Sequence, residues 1–249
     1  CISTDAVTIS QNITPPTANA GNDKTLTCTN TSFIIGTSGN SSNTYSWSPA
    51  IGLDDATLAQ PTVSAPNTYT LTVTNIANGC KTIDQVVISK NITPPVANAG
   101  IDKTLTCADT SLLIGSPAVA GNTYSWNPAL DLSNPLAAQP FTTVPGTYTL
   151  TVTTTANGCT STDEVIITQN IAPPVANAGI DKTLTCANPS LLIGSTAIAG
   201  NSYVWSPAAG LDNPLIAQPT TSVPDSYTLT VTNTANGCSA SDAVLVSQN

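Results

Sequence analysis

Arginine, histidine and methionine are absent from these 249 residues, lysine occurs five times, and glutamate occurs once, at Glu164. Each shortage removes a class of function. Fourteen acidic residues against five lysines leave a formal charge of −9, and a chain with no basic face cannot neutralise phosphates, which excludes nucleic-acid binding. Without histidine, and with one glutamate, the usual general base is missing, so no enzymatic role, no catalytic residue and no cofactor is expected. No apolar run approaches the roughly 20 residues of a membrane-spanning helix, so no direct membrane insertion is expected.

The chain is rich in repetition, which is sought before any secondary structure. ITPPTANAGNDKTLTC from Ile13 returns as ITPPVANAGIDKTLTC from Ile92 and IAPPVANAGIDKTLTC from Ile171, a step of 79 residues each time, and Trp47, Trp126 and Trp205 keep that step. Three repeats are expected, 13–91, 92–170 and 171–249. The opening CISTDAVTISQN, 1–12, matches the stretches from Cys80, Cys159 and Cys238 and reads as the C-terminal strand remnant of a preceding repeat. A 79-residue unit is too long for one turn of a solenoid and suits a small domain. Each unit opens on a proline pair, Pro15–Pro16, Pro94–Pro95 or Pro173–Pro174, which favours short, stiff, extended joints.

Seven cysteines follow the repeat. Cys28 and Cys80, Cys107 and Cys159, and Cys186 and Cys238 are each 52 residues apart, and Cys1 is left over. Buried free thiols and a zinc site are the alternatives to a disulfide, but two cysteines per unit without histidine cannot furnish the usual four zinc ligands. One bridge inside each unit is expected, 28–80, 107–159 and 186–238, with the partner of Cys1 lying upstream. Such bridges imply an oxidising, extracellular compartment. A closed loop of that length contributes roughly 4 kcal/mol in the chain-entropy model.

Strand signals dominate. In NTYTLTVTN, Tyr69, Leu71 and Val73 alternate with threonines, as do Tyr148, Leu150, Val152 and Tyr227, Leu229, Val231; a period of two means one buried face and one wet face. Asn78-Gly79, Asn157-Gly158 and Asn236-Gly237 then supply turn residues for a hairpin, whose returning strand turns Val86 and Ile88, or their counterparts, inward. Earlier strands are expected at TLTC, SFIIG or SLLIG, TYSW or SYVW, and near the AQP stretches. Short strands with Gly, Pro and Asn punctuation indicate an all-β, antiparallel sandwich. Trp47, Trp126 and Trp205 on the third strand, and Tyr69, Tyr148 and Tyr227 after a proline corner, are the core anchors of an immunoglobulin-like version.

Asp23, Asp102 and Asp181, and Asp84, Asp163 and Asp242, recur in register. Either set could offer oxygens to calcium, which takes six to eight; turn hydrogen bonding and solvation is the preferred reading, so no metal is expected. Asp54 and Asp212 lose their carboxylate at Ser133, and no ion common to the repeats can depend on them.

PPVANAGIDKTLTC, YSWNPAL and GTYTLTVTTTANGCTSTDEVIIT resemble the polycystic-kidney-disease-like (PKD-like) and related immunoglobulin-like repeats of very large Bacteroidetes cell-surface proteins, including gliding adhesins of the SprB type. The likeness runs through all three units and the remnant. It implies tandem sandwiches in an extended rod, export by the type IX route, and a stalk within an adhesive filament serving attachment and gliding motility. Its partners would be neighbouring repeats of the same chain and, through other regions, surface polysaccharide or a solid substrate. A repeated weak carbohydrate-binding module or a surface-layer scaffold is the alternative.

Overall fold

The computed structural model describes all 249 residues, and its regular structure is entirely β. The first repeat contributes β1 (Lys24–Leu26), β2 (Phe33–Ile34), β3 (Asn43–Ser48), β4 (Thr62–Val63), β5 (Asn67–Asn75) and β6 (Lys81–Lys90). The second gives β7 (Lys103–Thr106), β8 (Leu112–Leu113), β9 (Asn122–Asn127), β10 (Phe141–Thr142), β11 (Gly146–Thr154) and β12 (Thr160–Asn170). The third gives β13 (Lys182–Leu184), β14 (Leu191–Leu192), β15 (Asn201–Ser206), β16 (Thr220–Thr221), β17 (Asp225–Asn233) and β18 (Ser239–Gln248). In each repeat a four-stranded sheet, ordered β1-β6-β5-β3 in the first, accompanies a two-stranded sheet, β2-β4. These are immunoglobulin-like sandwiches.

The alternating sequence of β5 explains its placement. Tyr69, Leu71 and Val73 are buried while the threonines between them stay half-exposed. They meet Val86 and Ile88 of β6, Trp47 of β3, Leu26 of β1, Val63 of β4 and Ile35, the residue after β2. Each large apolar side chain so buried stabilises the sandwich by about 1.5–3 kcal/mol. Trp47 donates its indole N–H to the Leu58 carbonyl at 2.9 Å, and the Tyr69 hydroxyl donates to the Ala65 carbonyl, four residues back, at 3.0 Å. That last bond is the tyrosine corner of immunoglobulin-like domains. Trp126 and Trp205 repeat the indole bond, to the Ala137 and Ile216 carbonyls.

Two local expectations need correction. The sandwich is not wholly antiparallel: β1 runs parallel to β6, with Lys24 opposite Ile88 and Leu26 opposite Lys90, and β7–β12 and β13–β18 do the same. The aspartates explain why this pairing is favoured. Asp23, just before β1, accepts from the Val87 amide at 2.8 Å, and Asp84 on β6 accepts from the Ala20 amide at 2.8 Å. A carboxylate from the entering segment and one from β6 thus each satisfy an amide of the other that would otherwise be left unpaired. The second correction concerns the Asn-Gly turn. Only the glycine adopts positive φ, 70° at Gly79, and the loop closes through Gly79 N–H to Asn75 O (2.8 Å) and Asn75 N–H to Cys80 O (2.9 Å). It is longer than a two-residue hairpin turn, and Asn78 Oδ1 accepts from the Cys80 amide within it at 2.9 Å.

The chain packs as two compact units, one of 1–96, 119–123 and 152–161, the other of 97–118, 124–151 and 162–249. The hairpin end of the second repeat therefore belongs with the first repeat. The cysteines account for this.

Candidate functional site: the disulfide joints

The expected bridges 28–80, 107–159 and 186–238 are not formed. Cys28 is bonded to Cys159, within the first unit, and Cys107 to Cys238, within the second; each bond spans 131 residues, with Cα atoms 5.1 and 5.0 Å apart. The parallel pairing of β1 and β6 gives the reason. Leu26 lies beside Lys90, ten residues along β6 from Cys80, which at strand rise is about 33 Å, far beyond the reach of a disulfide. Cys28 leaves at one end of its sheet and Cys80 sits at the other. The first cysteine of a repeat meets instead the turn cysteine of the next. Cys1, Cys80 and Cys186 are free.

The asparagine of the Asn-Gly-Cys turn organises each joint. Asn157, 4% exposed, donates through Nδ2 to Asn91 Oδ1 at 3.0 Å and to the Thr93 carbonyl at 2.9 Å, gripping the linker that enters its own repeat. Its Oδ1 accepts from the Cys159 amide at 2.9 Å, and its backbone carbonyl accepts from the Cys28 amide at 3.1 Å. Asn236 repeats this with Asn170, Ala172 and Cys238, and its carbonyl accepts from Ala108 N–H at 3.2 Å. One residue thus ties linker and turn through its side chain and the neighbouring repeat through its backbone carbonyl. These contacts escape notice in the sequence because Asn-Gly reads as turn chemistry alone, although its period of 79 marked it.

Close approach requires the glycine. A Cβ on Gly158 would run into the Thr29 side chain, and one on Gly237 would lie 2.7 Å from the Ala108 Cβ, whereas Gly79 faces nothing within 4 Å. Gly158→Ala is therefore expected to weaken the first joint more than Gly79→Ala affects its own turn, since both share the strain of positive φ and only one clashes. Protection of the Cys28 amide from hydrogen exchange should fall in the first variant and stay unchanged in the second.

The remaining candidate groups do not assemble into a site. Asp102 and Asp181 accept from the amides of Ile166 and Leu245, and Asp163 and Asp242 from those of Ala99 and Ala178, so each recurring carboxylate is engaged as a strand clamp. No three Cys, Asp or Glu residues gather as metal ligands. A hollow of about 560 Å³ beside Leu130 and Phe141 is lined by Asp131, Ser111 and Ser133, and the Ser133 hydroxyl oxygen is engaged by the Phe141 amide.

Asp54 and Asp212 brace the loop before the fourth strand of their repeats. The Thr62 and Asp55 amides hold Asp54 below the usual carboxylate range, and the Thr220 hydroxyl and amide do so for Asp212. In the middle repeat Ser133 accepts the equivalent amide, from Phe141 at 2.9 Å. A depressed folded value means that the contribution is present above the ordinary carboxylate value of about 4 and is lost as pH falls through the folded value. Acid should therefore loosen this loop in the first and third repeats and spare it in the second, and Asp212→Ser should remove the effect; amide chemical shifts of Thr62, Phe141 and Thr220 across an acid titration would report it.

Fold and joints together define a chain of tandem immunoglobulin-like repeats, covalently stapled from one repeat to the next. No protein-family model matches the sequence. The chain is similar to the dyslexia-associated protein KIAA0319-like protein of Mus musculus, at 28% identity over 189 residues, which are 64% of this chain and 18% of that protein. It therefore spans less than a fifth of that relative's length. Among solved structures, an I-band fragment from titin aligns at TM-score 0.44 and 12% identity, covering 96% of this chain and 100% of that one. The N-terminal eight Ig domains of Down Syndrome Cell Adhesion Molecule align at 0.39 and 9%, over 93% and 36%. Extracellular domains 3–5 of Drosophila OTK align at 0.35 and 10%, over 93% and 95%.

Proposed function

We propose that this chain is a load-bearing stalk segment of a long extracellular adhesin, built from three immunoglobulin-like repeats at 13–91, 92–170 and 171–249 and holding a more specific binding region away from a cell surface. The observation that carries this reading is the staggered pairing of Cys28 with Cys159 and Cys107 with Cys238. A bridge inside one domain protects that domain alone, whereas a bridge from one repeat to the next makes neighbours share tension. Disulfides of this kind persist outside the reducing cytoplasm, which favours the cell surface. No chemistry is assigned to the segment; its role is mechanical, its immediate partners are its own neighbouring repeats, and polysaccharide or a solid surface would be engaged by other regions. The resemblance of the ANAG and TYTLTVT stretches to Bacteroidetes surface repeats narrows the proposal to an attachment and gliding filament exported by the type IX route.

Antibody raised against the segment and imaged with gold on intact source cells tests the reading. Label along thin projecting fibres, with attachment or movement impaired by the antibody, is the expected result. Label lying flat over the envelope would overturn it in favour of surface-layer scaffolding, and label only in the medium would favour a secreted binding module.

A further inference from the structure

Asparagine followed by glycine is a chemically labile pair, because no Cβ keeps the glycine nitrogen away from the side-chain carbonyl before it. Both joints place such a pair at their centre, Asn157-Gly158 and Asn236-Gly237, and both pin the groups that the reaction must move. The attacking nitrogen is engaged: Gly158 N–H donates to the Thr154 carbonyl and Gly237 N–H to the Asn233 carbonyl, each at 2.8 Å. The leaving nitrogen is held twice over. Asn157 Nδ2 donates to Asn91 Oδ1 at 3.0 Å and to the Thr93 carbonyl at 2.9 Å, and Asn236 Nδ2 donates to Asn170 Oδ1 and the Ala172 carbonyl, both at 3.0 Å. At 4% and 2% exposed, the two side chains are also closed to the water that the reaction consumes.

We propose that each joint is a guarded deamidation site: Asn157 and Asn236 remain amides while the joint is closed, are converted to aspartate or isoaspartate once it opens, and then no longer allow it to close. The inference rests on the staggered joints and is independent of what the stalk attaches to. In the first joint, the Gly158 nitrogen gives up its proton and bonds to Asn157 Cγ. The Cγ–Nδ2 bond breaks, and Nδ2 leaves as ammonia with that proton. Water then opens the cyclic imide at either carbonyl, giving aspartate or isoaspartate, with no change of oxidation state. The products do not fit the closed joint. Asn91 can turn its amide to donate to a carboxylate, but the Thr93 carbonyl can only accept, so a buried negative oxygen would face it without a hydrogen between them, which is strongly unfavourable. Isoaspartate further lengthens the main chain of the turn by one methylene, beside the carbonyl that accepts from the Cys28 amide.

The test ages the full oxidised chain in mildly alkaline buffer, with and without urea, and follows Asn157 and Asn236 by peptide mass spectrometry that separates asparagine, aspartate and isoaspartate. Conversion in the native chain is expected to be at least about tenfold slower than in urea, the suppression being set by how rarely the joint opens. Cys28→Ser combined with Cys159→Ser loosens the first joint and should speed conversion at Asn157 several-fold while leaving Asn236 unchanged. Cys107→Ser combined with Cys238→Ser should give the reverse. Equal rates in native and unfolded chain, no rise at the loosened joint, or equal rises at both sites in both variants would each overturn the guard. Asn157→Asp, reduced and reoxidised in glutathione buffer, should form several-fold less Cys28–Cys159 bond than the unaltered chain; recovery to the same extent would overturn the one-way step. Mapping of Cys28–Cys80 in place of Cys28–Cys159 in the unaltered chain would overturn the staggered joint itself.

Discussion

Pulled between its first and last residues, the oxidised chain should reach full extension near 300 Å and the reduced chain near 850 Å, at about 3.4 Å per residue. The two bonds interleave, since Cys107 lies inside the loop closed by Cys28 and Cys159, and Cys159 lies inside the loop closed by Cys107 and Cys238. The shortest covalent route runs from the start to Cys28, across to Cys159, back to Cys107, across to Cys238 and on to the end, about 90 residue steps in place of about 248, each spanning at most ~3.6 Å. Removing Cys107 and Cys238 together sharpens the test. With Cys28–Cys159 intact, about 117 steps remain, or about 400 Å. If bridges closed inside each repeat, the same variant would keep only Cys28–Cys80 and extend through about 196 steps, or about 670 Å. Single-molecule force spectroscopy separates these lengths, and the longer value would refute the joint. By the chain-entropy account a loop of 131 residues also stabilises by roughly 5 kcal/mol, a little more than a bridge within one repeat.

Trp205→Ala should destabilise the third repeat by about 3–5 kcal/mol, the usual cost of emptying a buried aromatic site. Trp205 is 2% exposed, packs with Tyr227, Leu229 and Val244, and donates to the Ile216 carbonyl at 3.0 Å. Its ring also lies against Gly194, where a Cβ would come within 2.9 Å of the indole and run into the Ala217 carbonyl oxygen. The glycine is there to let the indole through, so the cavity left by alanine has backbone on one side and cannot collapse onto a side chain. Trp205→Phe loses the indole bond and some of the buried volume but keeps the rest of the packing, and should cost distinctly less. Urea melts followed by tyrosine fluorescence, with the slope unchanged, would report the ordering; equal losses for the two variants would show that the bond, not the volume, holds the core.

The threonine alternation of β5 and β17, the tryptophan on the third strand and the tyrosine after its proline corner were legible because each depends on neighbours within a few residues. A period of two requires no knowledge of the partner strand, only that one face be dry. The recurring aspartates were legible as a pattern but not as clamps, because Asp23 and Val87 are 64 residues apart and meet only when β1 lies beside β6.

The sequence by itself determined three copies of one unit, an all-β immunoglobulin-like core in each, and cysteines that keep the same register throughout. Only the tertiary structure decided which cysteine finds which. A spacing of 52 places two cysteines in one repeat, but the direction of one short edge strand decides whether they share an end of the sheet. Because β1 runs parallel to β6, they do not, and the bond goes to the neighbour. Strand direction is set by which amides the distant carboxylates satisfy and by how the chain crosses between sheets, neither of which any local stretch of the sequence contains.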